Sequence, residues 1–533
     1  MAEKTSPENE TGSLWTPLAQ PLFASLWLAM LVSATGGWMH ETAAGWLMTS
    51  LTPSPAIVAL VQTANTFPIF LFALLAGALA DRADKRRFLI IVNTGLALLV
   101  FLFALLVAAD RVTPLTLVIF TFLIGSGAAF SAPAWQALMP ELVERERLRS
   151  AIALNSLGIN ISRAIGPAVA GFMIAGISMA APFMVNAATY LVVVAVLLLW
   201  RRKPAPRRSG PPEPILAAIG TGLRHALHND PLKETILRAA AFFFPASALW
   251  ALIPVIARAL PDSGASVFGA MTASVGAGAV AGALALPKLR ERWDSNELAL
   301  ASAGLMALTL PLLGMAQGRI AVLCCCFLAG TAWIASLTSF NFSAQTALPA
   351  WVRARGLSIF MMAFFGSMTV GSLCWGQVAQ RFGVGEAMTA AGLLLALLAL
   401  VTRNIHLGVA EGLDLTPSMH WPAPAMVLEP EVADGPVMVS IEYRVPPENA
   451  AAFRRLMREL RGERFRDGAY EWGLQRASDD ATLWLEWFLV SSWEEHLRQH
   501  ERVSEADRQL QERISALLAD EASHRVRHWL ADV

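Results

Sequence analysis

Residues Phe67 to Ala109 read FPIFLFALLAGALADRADKRRFLIIVNTGLALLVFLFALLVAA, two apolar runs around a knot that holds Asp81, Arg82, Asp84, Lys85, Arg86 and Arg87. A helix needs about 20 apolar residues to cross roughly 30 Å of hydrocarbon, so the stretch reads as two membrane spans joined by a short basic turn. The same pattern recurs along the chain. Apolar runs centre near Leu31, Phe70, Leu99, Ile119, Gly166 and Val193, then near Leu249, Gly276, Met306, Phe327, Met368 and Leu395, giving two sets of six. Composition agrees: 15% of the 533 residues are charged, against about 25% in soluble domains.

Lysine and arginine collect in alternate loops: after the second span, at Arg145, Arg147 and Arg149, at Arg201 to Arg208, at Lys288 to Arg292, and at Arg353 and Arg355. Short cytoplasmic loops are enriched in these residues, so both ends of the chain are expected in the cytoplasm of a bacterium, with the bundle in its inner membrane. The first twenty residues lack a basic start and a small-residue cleavage site, so the run from Leu22 is expected to stay as a span. Basic residues confined to loops form no continuous face for phosphates, which excludes nucleic acid as a partner. Cys324, Cys325, Cys326 and Cys374 lie in apolar runs, and three in a row on a helix point in different directions. No metal or cofactor is expected.

QALMPELVERERL from Gln136 and QTALPAWVRARGL from Gln345 match at Gln, Pro, Val and Leu with an offset of 209 residues (345 − 136). Such self-similarity indicates duplicated halves. The expected organisation is a tail over 1–20, six spans over 21–200, a linker over 201–234, six spans over 235–404, a second linker over 405–435 and a soluble domain over 436–533. Within the first linker, Ile215, Ile219, Leu223 and Leu227 recur every four residues, the pattern of an amphipathic helix on the inner membrane surface.

Gly77, Leu79, Ala80, Asp81, Arg82, Arg86 and Arg87 together resemble the signature loop of the major facilitator superfamily, with Asp84 where that loop often has glycine. A small residue at Gly77 lets helices approach, and a carboxylate among cations at a helix end can form and break a charge network as the halves rock. Ser162, Gly166, Pro167, Ala170 and Gly171 are similar to the packing motif of the superfamily's exporters, where proline kinks the helix and small residues admit a close neighbour. With GWMHETAAGWL in the first span, the chain resembles the branch that includes siderophore exporters and secretion effectors. That resemblance implies an all-α bundle of about twelve transmembrane helices, a central cavity, alternating access and proton-coupled efflux of a small molecule.

Ionisable groups at membrane depth cost about 2.5 to 3.5 kcal/mol on insertion scales and therefore stand as functional candidates. Glu41 in the first span and Arg163 in the fifth are the proton-coupling candidates, since a carboxylate near a movable arginine can take a proton in one state and pair in the other. Asn65, Asn160, Asn341 and Trp375 are the cavity candidates; hydrogen bonds between helices and interfacial anchoring are the other roles open to such residues.

From Val437 to Val445 the chain alternates as a half-buried strand. A helix follows whose Phe453, Leu456, Met457 and Leu460 share a face, then strands at 470–476 and 482–490, a long charged helical region over 492–518 and a strand near 526–530. This βαββαβ order resembles the α+β ferredoxin-like fold of antibiotic-biosynthesis-monooxygenase domains, which implies pairing of two sheets and thus a homodimer through the tail. His496 and His500 lie four apart, as do His524 and His528, without a third ligand at matching spacing. The leading expectation is a secondary transporter; the alternatives are a tail that carries oxidative activity and a tail that only regulates or dimerises.

Overall fold

A computed structural model describes residues 15–144, 147–200, 215–260, 264–349, 351–407, 413–418, 420–421, 435–519 and 524–530. Arg145 and the basic linker over 201–214 lie outside the described residues, as do the side chains of Asp81 and Arg82. The chain divides into two compact units.

The first unit comprises Met1–Pro212, Arg238–Ser339 and Met361–Asn404. Its N-terminal half holds α1 (Pro21–Leu51), α2 (Pro55–Arg82), α3 (Lys85–Ala108), α4 (Pro114–Leu142), α5 (Leu148–Gly176) and α6 (Ala181–Leu199). After α7 (Ile215–Leu227) come α8 (Asp230–Ala259), α9 (Ala265–Arg290), α10 (Ser295–Met315), α11 (Arg319–Thr346), α12 (Arg353–Phe382) and α13 (Val384–Val401). All of these except α7 are long and apolar enough to cross a membrane, twelve among the described residues, and each expected centre falls within one of them. Proline in the first turn of α1, α2 and α4 sits where its missing N–H costs nothing. Ser54, Asp84 and Thr113 accept from backbone N–H groups at the starts of α2, α3 and α4. Asp84 thereby acquires a definite role: at φ −63° it caps α3 and accepts from the Arg87 amide at 2.9 Å. Large apolar side chains such as Phe172, Leu199 and Leu284 point outward, as a bundle solvated by lipid requires.

The second unit comprises Glu213–Leu237, Phe340–Phe360 and Ile405–Val533. Its sheet is formed by β1 (Val437–Arg444), β2 (Glu471–Arg476), β3 (Leu483–Val490) and β4 (His524–Leu530) in the order β2-β3-β1-β4, with every pair antiparallel. The intervening helices are α14 (Ala450–Asp467), α15 (Trp493–Arg502) and α16 (Glu505–Ser515). The four expected residues of α14 are buried on the sheet with Val439, Phe488 and Val490. The charged region forms two helices because Ser504 and Asp507 close a capping box that starts α16.

Helix α7 also meets the tail. Arg224 donates from Nη1 to the Gly468 carbonyl at 2.8 Å, and the His228 ring stacks on Phe465 at 5.2 Å. His225, fully buried, stands edge-on to Trp351. The amphipathic pattern that suggested a membrane-surface helix thus presents its polar positions to α14.

Candidate transport site

Seven helices of the first unit, α1, α2, α4, α5, α6, α8 and α9, enclose a cavity of ≈ 210 Å³. Glu41 and Arg163 both line it, brought together from positions more than a hundred residues apart, with Asn65 of α2 alongside. Glu41 lies beside the Asn65 amide and within the field of Arg163, yet among the described residues the two charged groups form no ion pair within 4 Å. The Arg163 guanidinium lies over the Trp38 ring at 5.0 Å, and its Nε and Nη1 are buried without a partner. A cation on an aromatic face is partly compensated by the ring quadrupole, which leaves those N–H groups free for another acceptor.

Trp250 faces Trp38 across the cavity at 6.4 Å. His40 lines the same space, with its ring edge-on to Phe183 at 4.8 Å and neither nitrogen partnered. Gln62 and Asn186 also line it. The signal for these three was available, since each is polar within an apolar run, but polarity alone does not say which way a side chain faces.

A second cavity, of ≈ 280 Å³, shares Gly37, Ala128 and Tyr190 with the first and is lined by Gln136 and Asn155, the latter accepting from Trp135 Nε1 at 3.1 Å. The remaining cavity candidates lie outside the lining of the first. Asn160 donates to the Ser156 carbonyl of its own helix at 2.9 Å, Asn341 accepts from Gln345 one turn on, and Trp375 donates from Nε1 to the Phe244 carbonyl at 3.0 Å.

The packing motif on α5 makes the close contacts its residues suggest. Ser162 accepts from Thr35 and donates to the Leu31 carbonyl, both at 3.1 Å, which ties α5 to α1. A Cβ on Gly166 would stand 2.6 Å from the Trp38 Cβ, and one on Gly171 would stand 2.8 Å from the Ala265 carbonyl oxygen. Helix α5 is therefore pressed against α1 of its own half and α9 of the other, with Pro167 at the kinkable point between.

At the other end of the bundle Gly77 is partly buried in the last turns of α2. Arg86 donates to the carbonyls of Leu197 at 2.7 Å and Leu198 at 3.1 Å, capping the negative end of α6, while Arg87 is exposed. Lys85 pairs with Glu141 at 2.7 Å, tying α3 to the end of α4.

The family of transmembrane secretion effectors matches residues 12–533. The chain belongs to that family, a branch of the major facilitator superfamily. It is similar to a staphyloferrin A transporter of Staphylococcus aureus, 25% identical over 70% of this chain and 92% of that one. It is 23% identical to a multidrug efflux pump of Mycolicibacterium fortuitum, over 72% of this chain and 94% of that one. An enterobactin exporter of Shigella boydii is 27% identical over 60% of this chain and 75% of its own length. Among solved structures, a nucleoside transporter and an inward-facing bacterial homologue of a lysosomal Spinster transporter each superpose at TM-score 0.58 and 13% identity. Each covers 72% of this chain, with 99% and 97% of those chains covered, and they share its fold. This secretion effector is a multi-pass membrane transporter of small molecules, and its family membership places it outside the enzymes.

Proposed function

We propose that this transporter exports a siderophore-like or drug-like organic molecule across the bacterial inner membrane, driven by protons, with both chain ends in the cytoplasm. The observation that carries the reading is the cavity in which Glu41 and Arg163 face one space without pairing. A carboxylate held near an arginine but unbonded can change partners. Protonated, it releases its hold on the guanidinium; ionised, it attracts it, and a proton affinity that differs between outward- and inward-facing states is what drives a cycle. The Arg163 side chain that lines the cavity suits a carboxylate or carbonyl oxygen on the cargo, and Trp38 and Trp250 suit its apolar part. The named activities of the relatives, two of them siderophore transport and one multidrug efflux, support this cargo class.

The loop containing Gly77, Asp81, Arg82, Arg86 and Arg87 serves as the switch that biases the two states, and the close α5–α9 seam limits leak. The tail supplies a dimer contact. Its outer sheet face carries Met438, Trp487, Leu489 and the half-exposed Trp529, side chains that a second sheet would cover.

The test is transport into inverted membrane vesicles with an imposed pH gradient, using citrate- and catechol-type siderophores and cationic dyes as cargo. Accumulation that collapses with the gradient is expected for one of these classes. Equal accumulation with and without the gradient would rule out proton drive.

A further inference from the structure

The second membrane cavity, of ≈ 280 Å³, is lined only by residues of the N-terminal half, and it meets the first at Gly37, Ala128 and Tyr190, which line both. Its other walls lie near helix ends: Trp27 in the second turn of α1, Asn155 in the third turn of α5, and Gln136 within the last two turns of α4. On the orientation proposed above, these ends face the cytoplasm. Glu41, in the first cavity, stands 14 residues beyond Trp27 on α1 (41 − 27), about 21 Å at 1.5 Å per residue. The two cavities together therefore reach from Glu41 to the ends of the helices.

Two successive glycines at the junction differ in what they do. A Cβ on Gly36 would stand 2.6 Å from Thr189 Oγ1, so close packing against α6 excludes a side chain there. A Cβ on Gly37 would meet nothing within 4 Å. Backbone conformation does not call for glycine at 37 either, since the glycines with positive φ among the described residues are Gly383 and Gly468. Glycine weakens a helix interior relative to alanine, so what the missing side chain at 37 provides is space between the cavities, one turn before Glu41 and on the same face of α1. The walls beyond that neck suit water. Gln136, Asn155 and Tyr190 offer hydrogen bonds and none of them is fully buried, and the cavity is many times larger than one water needs. Among the described residues no Asp, Glu, Lys or Arg lines it, so a passing proton meets neither a trap nor a repelling cation. Glu41 itself is only partly buried.

We infer that the second cavity is the aqueous passage through which Glu41 exchanges its proton with the cytoplasm, and that Gly37 keeps the neck of this passage open. The Glu41 O–H bond breaks as a water in the neck takes the proton, the electron pair stays on the carboxylate, and the charge leaves as hydronium along the second cavity. This passage deepens the reading of Glu41 as the proton carrier and rests on it for its part in transport.

The experiment follows the full-length protein in lipid nanodiscs by infrared spectroscopy. The Glu41 band is the carboxylic C=O stretch present in wild type and missing in Glu41→Gln between about pH 4 and pH 8. Its shift on transfer to D2O times the arrival of water at that proton. Gly37→Leu, which fills the neck, is expected to slow the shift about tenfold or more. Gly158→Leu fills the second cavity alone, with a Cβ in ordinary contact at 3.4 Å from Leu31 and 3.5 Å from Trp27, and is expected to do the same. Gly37→Ala adds a single methyl to open space, keeps the fold, and should slow the shift about threefold. Thermal unfolding curves show which leucine variants fold. A wild-type rate in any variant that folds, or the absence of a Glu41 band at every pH, would overturn the passage. The infrared rate is read without cargo, so it is separate from uphill transport by Glu41→Gln, which tests the reading of Glu41 itself.

Discussion

Two sites, Glu41 in the membrane unit and Glu486 in the tail, treat buried charge in opposite ways. In the membrane unit Glu41 and Arg163 line one cavity and stay unpaired, with guanidinium nitrogens that meet no acceptor. In the tail, Glu486 is fully buried and accepts four hydrogen bonds: two from Arg464 at 3.0 and 3.3 Å, one from the Tyr443 hydroxyl at 2.7 Å and one from Trp472 Nε1 at 3.0 Å. Burial pushes the Glu486 carboxyl up, but Arg464 and the other donors outweigh it and hold the group below its usual range. A second cluster repeats the lesson, with Arg502 bonded to Glu495 at 2.5 Å and to the Asp467 carbonyl at 3.0 Å. Saturated charges fix one arrangement. Unsaturated ones leave more than one arrangement close in energy, which a transporter that alternates between states needs.

The largest effect on stability is expected where saturation is broken. Glu486→Ala leaves Arg464 buried without its carboxylate and should cost the tail about 3–5 kcal/mol, read as loss of its unfolding transition at growth temperature. A loss below about 1 kcal/mol would show that the network is ornamental.

A smaller effect follows from pH. His496 titrates near 3 in the folded tail because burial disfavours its charged form, against an ordinary value of 6.5. The stability it contributes is fully present above 6.5 and is lost as pH falls toward 3, about 2 kcal/mol by pH 5. Glu463, pushed up by burial and by Asp507, acts in the opposite sense, so the contribution is isolated as a difference between proteins. Wild type should lose more melting temperature than His496→Phe between pH 7 and pH 5; parallel curves would contradict the assignment.

Smaller still is the change at the sheet's outer face. Trp529→Asp should alter stability by less than about 0.5 kcal/mol while shifting the mass in detergent, measured by light scattering, from dimer toward monomer. A wild-type protein that is monomeric at every concentration would remove the proposed pairing.

Much of this contrast was legible in the chain. Span length and apolar content located all twelve membrane helices, because hydrocarbon thickness permits few alternatives. Alternation located the strands within a few residues. Glu41 and Arg163 stood out as ionisable groups where none are needed for solubility. What the sequence could not supply was facing and long-range pairing. Asn160, Asn341 and Trp375 are polar or aromatic in apolar runs as Asn65 is, yet only Asn65 reaches the cavity; Asn160 is satisfied within its own helix. Spacing along α15 linked His496 to His500, but β4 brings His528 to them through a strand pairing that no local pattern encodes. The partners of Glu486 are hidden in the same way, since Arg464 lies on α14 and Tyr443 on the neighbouring strand.

We propose that Glu41, which lines the membrane cavity without an ion pair to Arg163, carries the driving proton. Its direct test is the pair of activities of Glu41→Gln in one preparation of inverted vesicles, uphill accumulation under a pH gradient and downhill exchange without one. Glutamine mimics a permanently protonated carboxyl, so uphill accumulation should vanish while exchange and substrate binding persist and the protein folds as wild type. Vesicles of Glu41→Gln that still concentrate cargo against its gradient, driven by pH, would contradict it.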